Sequence, residues 1–510
     1  MAAAAAAAFA LAGFAAHASQ ALTGAYLSYV SGIWLALGKD LASGLFYRGL
    51  IGGVGYGGTR YFPLFFIIIA TFLKIGLAPL AAGWSASAVA AIVLATGLGR
   101  VGRALGAPRS MRWLLGAAAI APYFVQQTLF EVRADVLAAG LNVWAVASII
   151  PVWRGASGER PRTGAAAAWF TLAFAAKVTS LATPCCVLAA LALSGRLRAA
   201  RRLAVQLAAG LALFFVIVTV ASSGRAIEDW RACMFAGSTQ GGTVAALLTG
   251  DFLNLASFSH LLTVLLALDA AALVVAVILA RRARGTSGPS GDATSEWPSG
   301  RSLWLPVMLF GGVTAATALA LSSPGTIPSN QVAEWLQMSF IVLVWAAASD
   351  WRLTRPISIV MAVLVVWMGA QDFVRTRALW DTRGERSTWA MRREVTQFVA
   401  AASTRAPVLA ESSLWEVLAG RQAYLLDPFA LRVVMTTHPE VRQDLEAKID
   451  AHYFSSVIFQ VDPTSAEGRG YYEHVNFGWP LTSRILEQYR FDRQLAWDVW
   501  IYVPKDQVVR

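Results

Sequence analysis

Charge is scarce in this chain. Only 14% of its 510 residues are Asp, Glu, Lys or Arg, while 57% are apolar. That balance excludes an ordinary soluble domain, in which about a quarter of residues are charged. Acids are scarcest before residue 371, where only Asp40, Glu131, Asp135, Glu159, Glu228, Asp229, Asp251, Asp269, Asp292, Glu296, Glu334 and Asp350 occur. Cysteine is nearly absent too. Cys185 and Cys186 are adjacent in an apolar run and Cys233 stands alone; none has metal-ligand spacing, and all three read as small apolar filler. Internal repeats and charged mid-membrane pairs are also lacking, which argues against a transporter.

What is present is a series of apolar runs. After MAAAAAAAFALAGFAAHA, which has no positive n-region and reads as a first transmembrane helix rather than a signal peptide, they lie near 62–80, 84–98, 111–128, 134–152, 164–176, 178–195, 203–222, 259–280, 303–322, 332–349 and 357–371. A helix crosses a bilayer with roughly 20 apolar residues, so the pattern predicts a polytopic all-α transmembrane bundle of about 11 membrane helices. The connecting segments alternate between arginine-rich (Arg100 to Arg112, Arg154 to Arg162, Arg196 to Arg202, Arg281 to Arg284, Arg352 and Arg355) and arginine-poor. The positive-inside rule places the first set in the cytoplasm. The net charge of +12 therefore reports orientation, not nucleic-acid binding. The 17–66 loop and the tail then share the outer face, provided 62–80 is an interfacial or re-entrant segment, which Pro63, Lys74 and Gly76 suit.

Two domains follow from this reading, a membrane domain over 1–372 and a soluble one over 373–510. Residues 284–300, rich in Gly, Ser and Pro, read as a flexible cytoplasmic linker. In the tail, APVLAES, SSVIFQV and WDVWIYVP alternate like strands, while SLWEVLAG, PEVRQDLEAKIDAHYF and LTSRILEQYR have helical periodicity. Strands alternating with helices predict a small C-terminal α/β domain on the outer, extracytoplasmic side.

Ionisable groups near a bilayer are costly to keep, so each is a functional candidate. Asp40 is suited to act as a general base on an acceptor hydroxyl, or is a solvated loop carboxylate. Glu131 and Asp135 stand four apart in FEVRAD; they share a face if helical, with Arg133 able to join them in a loop, or they decorate a helix start. Lys177 suits a phosphate group or snorkelling. Arg60 and Tyr61 follow the glycine turn YGGT, where backbone can approach an anion and arginine can grip a phosphate, or where the chain merely turns. Arg225 opens the 223–258 loop as part of an interfacial cap or a solvated stretch. Asn330 and Glu334, in SNQVAEW, face an acceptor or cap a helix. Asp269 lies mid-membrane and is expected to pair inside the bundle.

The order of these motifs resembles the GT-C superfamily of polyprenyl-phosphate-sugar-dependent membrane glycosyltransferases, among them protein O-mannosyltransferases and aminoarabinose transferases. RYFPL is similar to their Y-x-P-L, RAD to their R-P-D and AKVTS to their T-K-x-T; the likeness covers roughly 1–372. Where the superfamily carries an acid directly after the first helix, LTGAYLSYV has Gly24 and Ala25. The resemblance implies an enzyme of the bacterial inner membrane that moves a sugar from a polyprenyl-phosphate donor to a glycan, lipid or protein acceptor on the outer face. It implies a carboxylate base (Asp40, Glu131 or Asp135), with Arg60, Tyr61, Arg133, Lys177 and Arg225 around the donor phosphate and lipid. Some members use a divalent metal ion and others none. The alternative is a non-catalytic protein that binds lipid-linked glycans or scaffolds the envelope.

Overall fold

The computed structural model describes residues 2–154, 163–233, 303–321, 328–349, 351–381, 384–404, 406–496 and 499–506, with isolated positions between 267 and 274. The expected linker at 284–300, Asp269 and the part of the 223–258 loop beyond Cys233 lie outside the described residues.

The chain opens with α1 (Ala2–Gln20), which runs into a π-helical turn (Ala21–Ala25) where Gly24 has φ 94°. α2 (Tyr29–Ala42) and a hairpin of β1 (Ile51–Gly52) and β2 (Gly55–Tyr56) form the first loop. Apolar helices follow: α3 (Pro63–Lys74), α4 (Pro79–Ala104), α5 (Arg109–Ile120), α6 (Tyr123–Phe130), α7 (Asp135–Arg154), α8 (Thr163–Ala176), α9 (Ala182–Leu193) and α10 (Leu197–Ala221). The short α11 (Arg225–Cys233) precedes α12 (Trp304–Leu321), α13 (Pro328–Ser349) and the long α14 (Trp351–Asp381). α15 (Gly384–Ala402) leads to β3 (Val408–Ala410), α16 (Ser413–Leu418), α17 (Pro428–Thr437) and α18 (Pro439–Asp450). The chain closes with β4 (Ser456–Phe459), α19 (Ala466–His474), α20 (Trp479–Gln488), β5 (Tyr489–Ala496) and β6 (Val499–Pro504).

The fold is a polytopic helical membrane bundle with a small strand-containing region at its C-terminal end. Among the described residues, five helices are long and apolar enough to cross a bilayer: Ala2–Gln20, Pro79–Ala104, Asp135–Arg154, Leu197–Ala221 and Leu353–Arg377. Others are shorter, for identifiable reasons. The run at 111–128 is split into α5 and α6 at Pro122, which cannot continue a helical hydrogen-bond ladder. α3 has 12 residues, about 18 Å of helix against a hydrocarbon core of about 30 Å. α7 is mostly buried at the centre, whereas α10 turns Leu213, Val216, Ile217 and Val220 outward, an apolar face suited to lipid. α1 and α14 touch through glycines: a Cβ on Gly13 would stand 2.7 Å from the Gly369 carbonyl oxygen. Such small residues let helix backbones meet inside a membrane.

The C-terminal sheet has the order β3-β4-β6-β5, with β3 and β4 parallel (Leu409 opposite Val457) and the other pairs antiparallel. The three strands expected from alternation are there. β5 was not expected, because its Arg490, Asp492 and Arg493 mask the pattern; β5 is an edge strand, where charged residues guard against stray pairing.

The first loop is sewn to the 421–426 segment of this region nearly residue by residue. Lys39 Nζ donates to the Arg421 carbonyl at 2.7 Å and Gln422 Nε2 to Asp40 Oδ1 at 3.4 Å. Arg48 grips Asp40 with Nε (2.6 Å) and Nη2 (2.7 Å) and donates from Nη1 to the Ala423 carbonyl at 2.5 Å. Tyr56 N donates to Tyr424 O at 2.8 Å, and Gly55 is required there, since a Cβ would lie 2.0 Å from that oxygen. Glu416, also buried, accepts the Tyr424 amide at 2.8 Å. Burial pushes its carboxyl well above the usual range, against the pull of that amide and of Arg48 and Lys39.

Two outcomes are expected. Arg48→Met leaves Asp40 buried and unpaired, and should cost about 3–5 kcal/mol of stability while exposing the Arg421 bond to trypsin; Asp40→Leu with Arg48→Met should recover most of the loss. Melting curves in detergent with limited proteolysis measure both. Glu416 holds a proton in the folded chain at pH values where the unfolded chain has released it. Its contribution to stability is therefore full below its ordinary value of 4.5 and is lost as pH rises toward its higher folded value. Melting temperature should fall over that window, and Glu416→Gln should flatten the fall.

Candidate functional site

The turn between α6 and α7 holds the densest group of expected site residues. α6 ends at Phe130 and α7 begins at Asp135, so Glu131 and Asp135 belong to different elements and do not share a helix face. Val132 between them has φ 57°. A β-branched residue in the left-handed region is strained by roughly 1–3 kcal/mol. The surroundings hold it there: Ser31 Oγ donates to Glu131 O at 2.5 Å and Trp84 Nε1 to Phe130 O at 3.3 Å. Gly83 of α4 makes room, since a Cβ on it would meet a Val132 methyl at 2.8 Å.

This turn folds Glu131 back onto Arg133 as a buried ion pair, and Asp135 pairs with Lys177 at 2.5 Å. Burial pushes the Glu131 carboxyl up, with Arg133 pulling it down. Arg133 is 2% exposed. Although its Nε faces Glu131, neither Nε nor Nη2 makes a well-directed hydrogen bond among the described residues. Lys177, at the break between α8 and the 3-10 turn Val178–Leu181, also lies within electrostatic reach of Glu334. Glu334 accepts from Asn142 Nδ2 at 2.7 Å and from Thr183 Oγ1, so it stitches α7, α9 and α13 together. The side chain of Asn330 lies outside the described residues.

A second group faces this turn from the first loop and the sheet region. Arg60 lies 4.8 Å over the Phe429 ring and interacts with Tyr61, Asp427 and Tyr29. Asp427 caps α17, its Oδ1 accepting from the Phe429 and Ala430 amides at 3.0 Å. Its Oδ2 has no hydrogen-bond partner among the described residues, and burial pushes its carboxyl up against the pull of Arg60. Tyr29 and Tyr61 each sense both Arg60 and Arg133. Arg60, Tyr61, Arg133, Glu131, Asp135 and Lys177 thus form one polar patch across the end of the bundle.

Two expected members lie apart. Asp40 is enclosed in its fork with Arg48, 8 positions on. Arg225 is exposed at the start of α11, with no side-chain contact to the patch among the described residues. All three carboxylates considered as a base are therefore engaged by cations: Asp40 by Arg48, Glu131 by Arg133, Asp135 by Lys177. Among the described residues no three His, Cys, Asp or Glu side chains converge as a metal site. Sequence reasoning missed Asp427, although Asp before Pro428 at the head of an apolar stretch is a helix-start signal.

No family model and no curated protein matches the chain. Solved structures do. ArnT from Cupriavidus metallidurans bound to undecaprenyl phosphate is similar over 92% of this chain and 93% of its own, with TM-score 0.51 and 12% identity. The same protein in the apo state gives TM-score 0.55 at 12% identity, covering 92% of each chain. Archaeal oligosaccharyltransferase AglB from Archaeoglobus fulgidus, in complex with an inhibitory peptide and a dolichol-phosphate, is similar over 93% of this chain and 70% of its own (TM-score 0.52, 11% identity). The chain has the GT-C fold. The likeness spans both the bundle and the sheet region, so the GT-C arrangement expected from the motif order in the first 372 residues extends over nearly the whole chain.

Proposed function

We propose that this protein transfers a sugar from a polyprenyl-phosphate donor to an acceptor on the outer face of a bacterial inner membrane. Arg133 carries the reading. A guanidinium almost wholly withdrawn from water, its Nε held in the ion pair with Glu131 and its Nη2 without a hydrogen-bond partner among the described residues, is an expensive arrangement that an anionic oxygen would relieve with a charge-assisted hydrogen bond. Lys177 and Arg60 flank it in the same patch. That both solved relatives were captured with a polyprenyl phosphate, undecaprenyl or dolichol, supports assigning a lipid phosphate to this patch.

The chemistry is a direct displacement. An acceptor oxygen attacks the anomeric carbon while the bond to phosphate breaks, and negative charge gathers on the leaving phosphate. Cations already fixed at that point stabilise the transition state without reorganising. Glu131 and Asp135 hold Arg133 and Lys177 in place. The outward apolar face of α10, whose Phe214 stacks on Phe62 next to Tyr61, suits the polyprenyl tail. A non-catalytic protein that binds lipid-linked glycans would keep the phosphate grip and transfer nothing; the engaged state of all three carboxylates favours that second reading, and assay separates the two.

In vesicles containing the full chain and undecaprenyl phosphate carrying a radiolabelled hexose, label should pass to a cell-envelope extract and free undecaprenyl phosphate should appear. Arg133→Gln should slow this by about 100- to 1,000-fold, the loss seen when one fixed charge-stabilising donor is removed. Undiminished transfer in that variant would sink the phosphate assignment; binding without transfer in the wild type would establish the second reading. For orientation, single cysteines at the exposed positions Ser43, Arg469 and Arg198 are introduced after the native three are replaced. An impermeant thiol reagent on intact cells should label the first two and spare the third.

A further inference from the structure

Beyond the patch, a chain of buried polar groups joins the first long helix to the last. His17 (α1), Gln126 (α6) and Asp372 (α14) are all 0% exposed. The Gln126 amide determines the polarity of the whole chain. Its Nε2 donates to the Ala121 carbonyl at 3.0 Å and to Asp372 Oδ2 at 2.6 Å. A backbone carbonyl can only accept, so the amide nitrogen must lie on that side and Oε1 on the other. Oε1 stands 2.5 Å from His17 Nδ1, and an acceptor there requires the imidazole proton on Nδ1. Neutral His17 consequently presents a lone pair at Nε2, and the Tyr26 hydroxyl lies 2.6 Å from it. Tyr26 is the donor in that bond.

The chain is therefore directional, from carboxylate through amide and imidazole to a half-buried phenol, with the basic end of the imidazole toward the phenol. Asp372 and Gln126 fix the tautomer in the way a second hydrogen bond fixes any catalytic histidine. The outlet lies beside the patch: the Tyr26 and His17 rings pack on Phe130 at 6.0 and 5.4 Å, and Phe130 immediately precedes Glu131. Arg375, 3.8 Å from Asp372, and Tyr123, 6.4 Å from the Tyr26 ring, flank the chain.

We infer that Tyr26 is a catalytic residue that takes the proton of the acceptor hydroxyl, with His17 as the base behind it and Gln126 and Asp372 as positioning residues. The inference rests on the transferase reading and fills the role that Asp40, Glu131 and Asp135 leave open. The acceptor O–H gives its proton to the Tyr26 oxygen as the Tyr26 proton passes to His17 Nε2. The acceptor oxygen bonds to the anomeric carbon, and the electron pair of the breaking bond leaves with the lipid phosphate. Imidazolium forms with Nδ1 3.9 Å from Asp372 Oδ1, and its proton returns to water through Tyr26.

The test uses the full chain in phospholipid vesicles with undecaprenyl phosphate-linked radiolabelled hexose and the envelope extract. Tyr26→Phe and His17→Gln should each lose about 100-fold or more of transfer, the usual contribution of a general base. Undecaprenyl phosphate binding should stay near the wild-type value in both. His17→Ala should regain transfer several-fold with added imidazole. Wild-type rates in Tyr26→Phe and His17→Gln would overturn the inference while leaving the transferase reading intact. Loss of lipid-phosphate binding in step with transfer, without imidazole rescue, would show a purely structural role and overturn it as well. Absence of transfer by the wild type from any polyprenyl-phosphate sugar would overturn both readings. NMR of isotope-labelled histidine, assigned by the signal missing in His17→Gln, should find the proton on Nδ1; a proton on Nε2 would refute the relay without recourse to activity.

Discussion

Asp40 and Arg48 meet where almost no water reaches them, and the rest of the molecule is arranged around that meeting. Each charge alone would be costly to bury. Together they match as a two-pronged fork, and the remaining guanidinium arm reaches the Ala423 carbonyl. The value of such a pair lies less in net stability than in excluding other arrangements, because any slip strands a charge. Here it fixes a segment more than 370 positions along the chain against the first loop. With that register set, Arg60 from the loop and Asp427 from the sheet region come within electrostatic reach of each other, and Tyr29 and Tyr61 each sense both of them and Arg133.

The patch itself sets ion pairs beside backbone strain. Val132 is held in a conformation that its side chain disfavours, and Arg133 beside it pairs with Glu131 through Nε while its Nη2 has no hydrogen-bond partner among the described residues. Strain and a buried cation thus stand in adjacent residues, each costing free energy that the surrounding packing offsets. Low dielectric surroundings strengthen every charge there.

Much of this could be read from residue order. The membrane bundle followed from apolar run length and three strands of the sheet from alternation; the motif order grouped Arg60, Tyr61, Arg133, Lys177 and Arg225, of which Arg225 stands apart from the others in the fold. Spacing failed where backbone geometry intervened. Glu131 and Asp135 look like helix neighbours until Val132 breaks the helix, and Asp40 looks open until Arg48 closes over it. The His17 chain had no local signature at all. Its members come from three helices more than 100 positions apart, and a buried histidine in an alanine-rich run is indistinguishable from filler until the helices are packed.

The close contact of Gly13 with Gly369 has a consequence in time. Chains are made and inserted from the N-terminus onward, so α1 must wait in the bilayer while more than 300 further residues are synthesised before α14 exists to receive it. Until then His17 lacks Asp372, and Gln126 lacks one of its two acceptors. An early helix is thus among the last to reach its final neighbours. A chain cut short just before α14 would carry every cation of the patch, and His17, Tyr26 and Gln126 without the carboxylate that orients them.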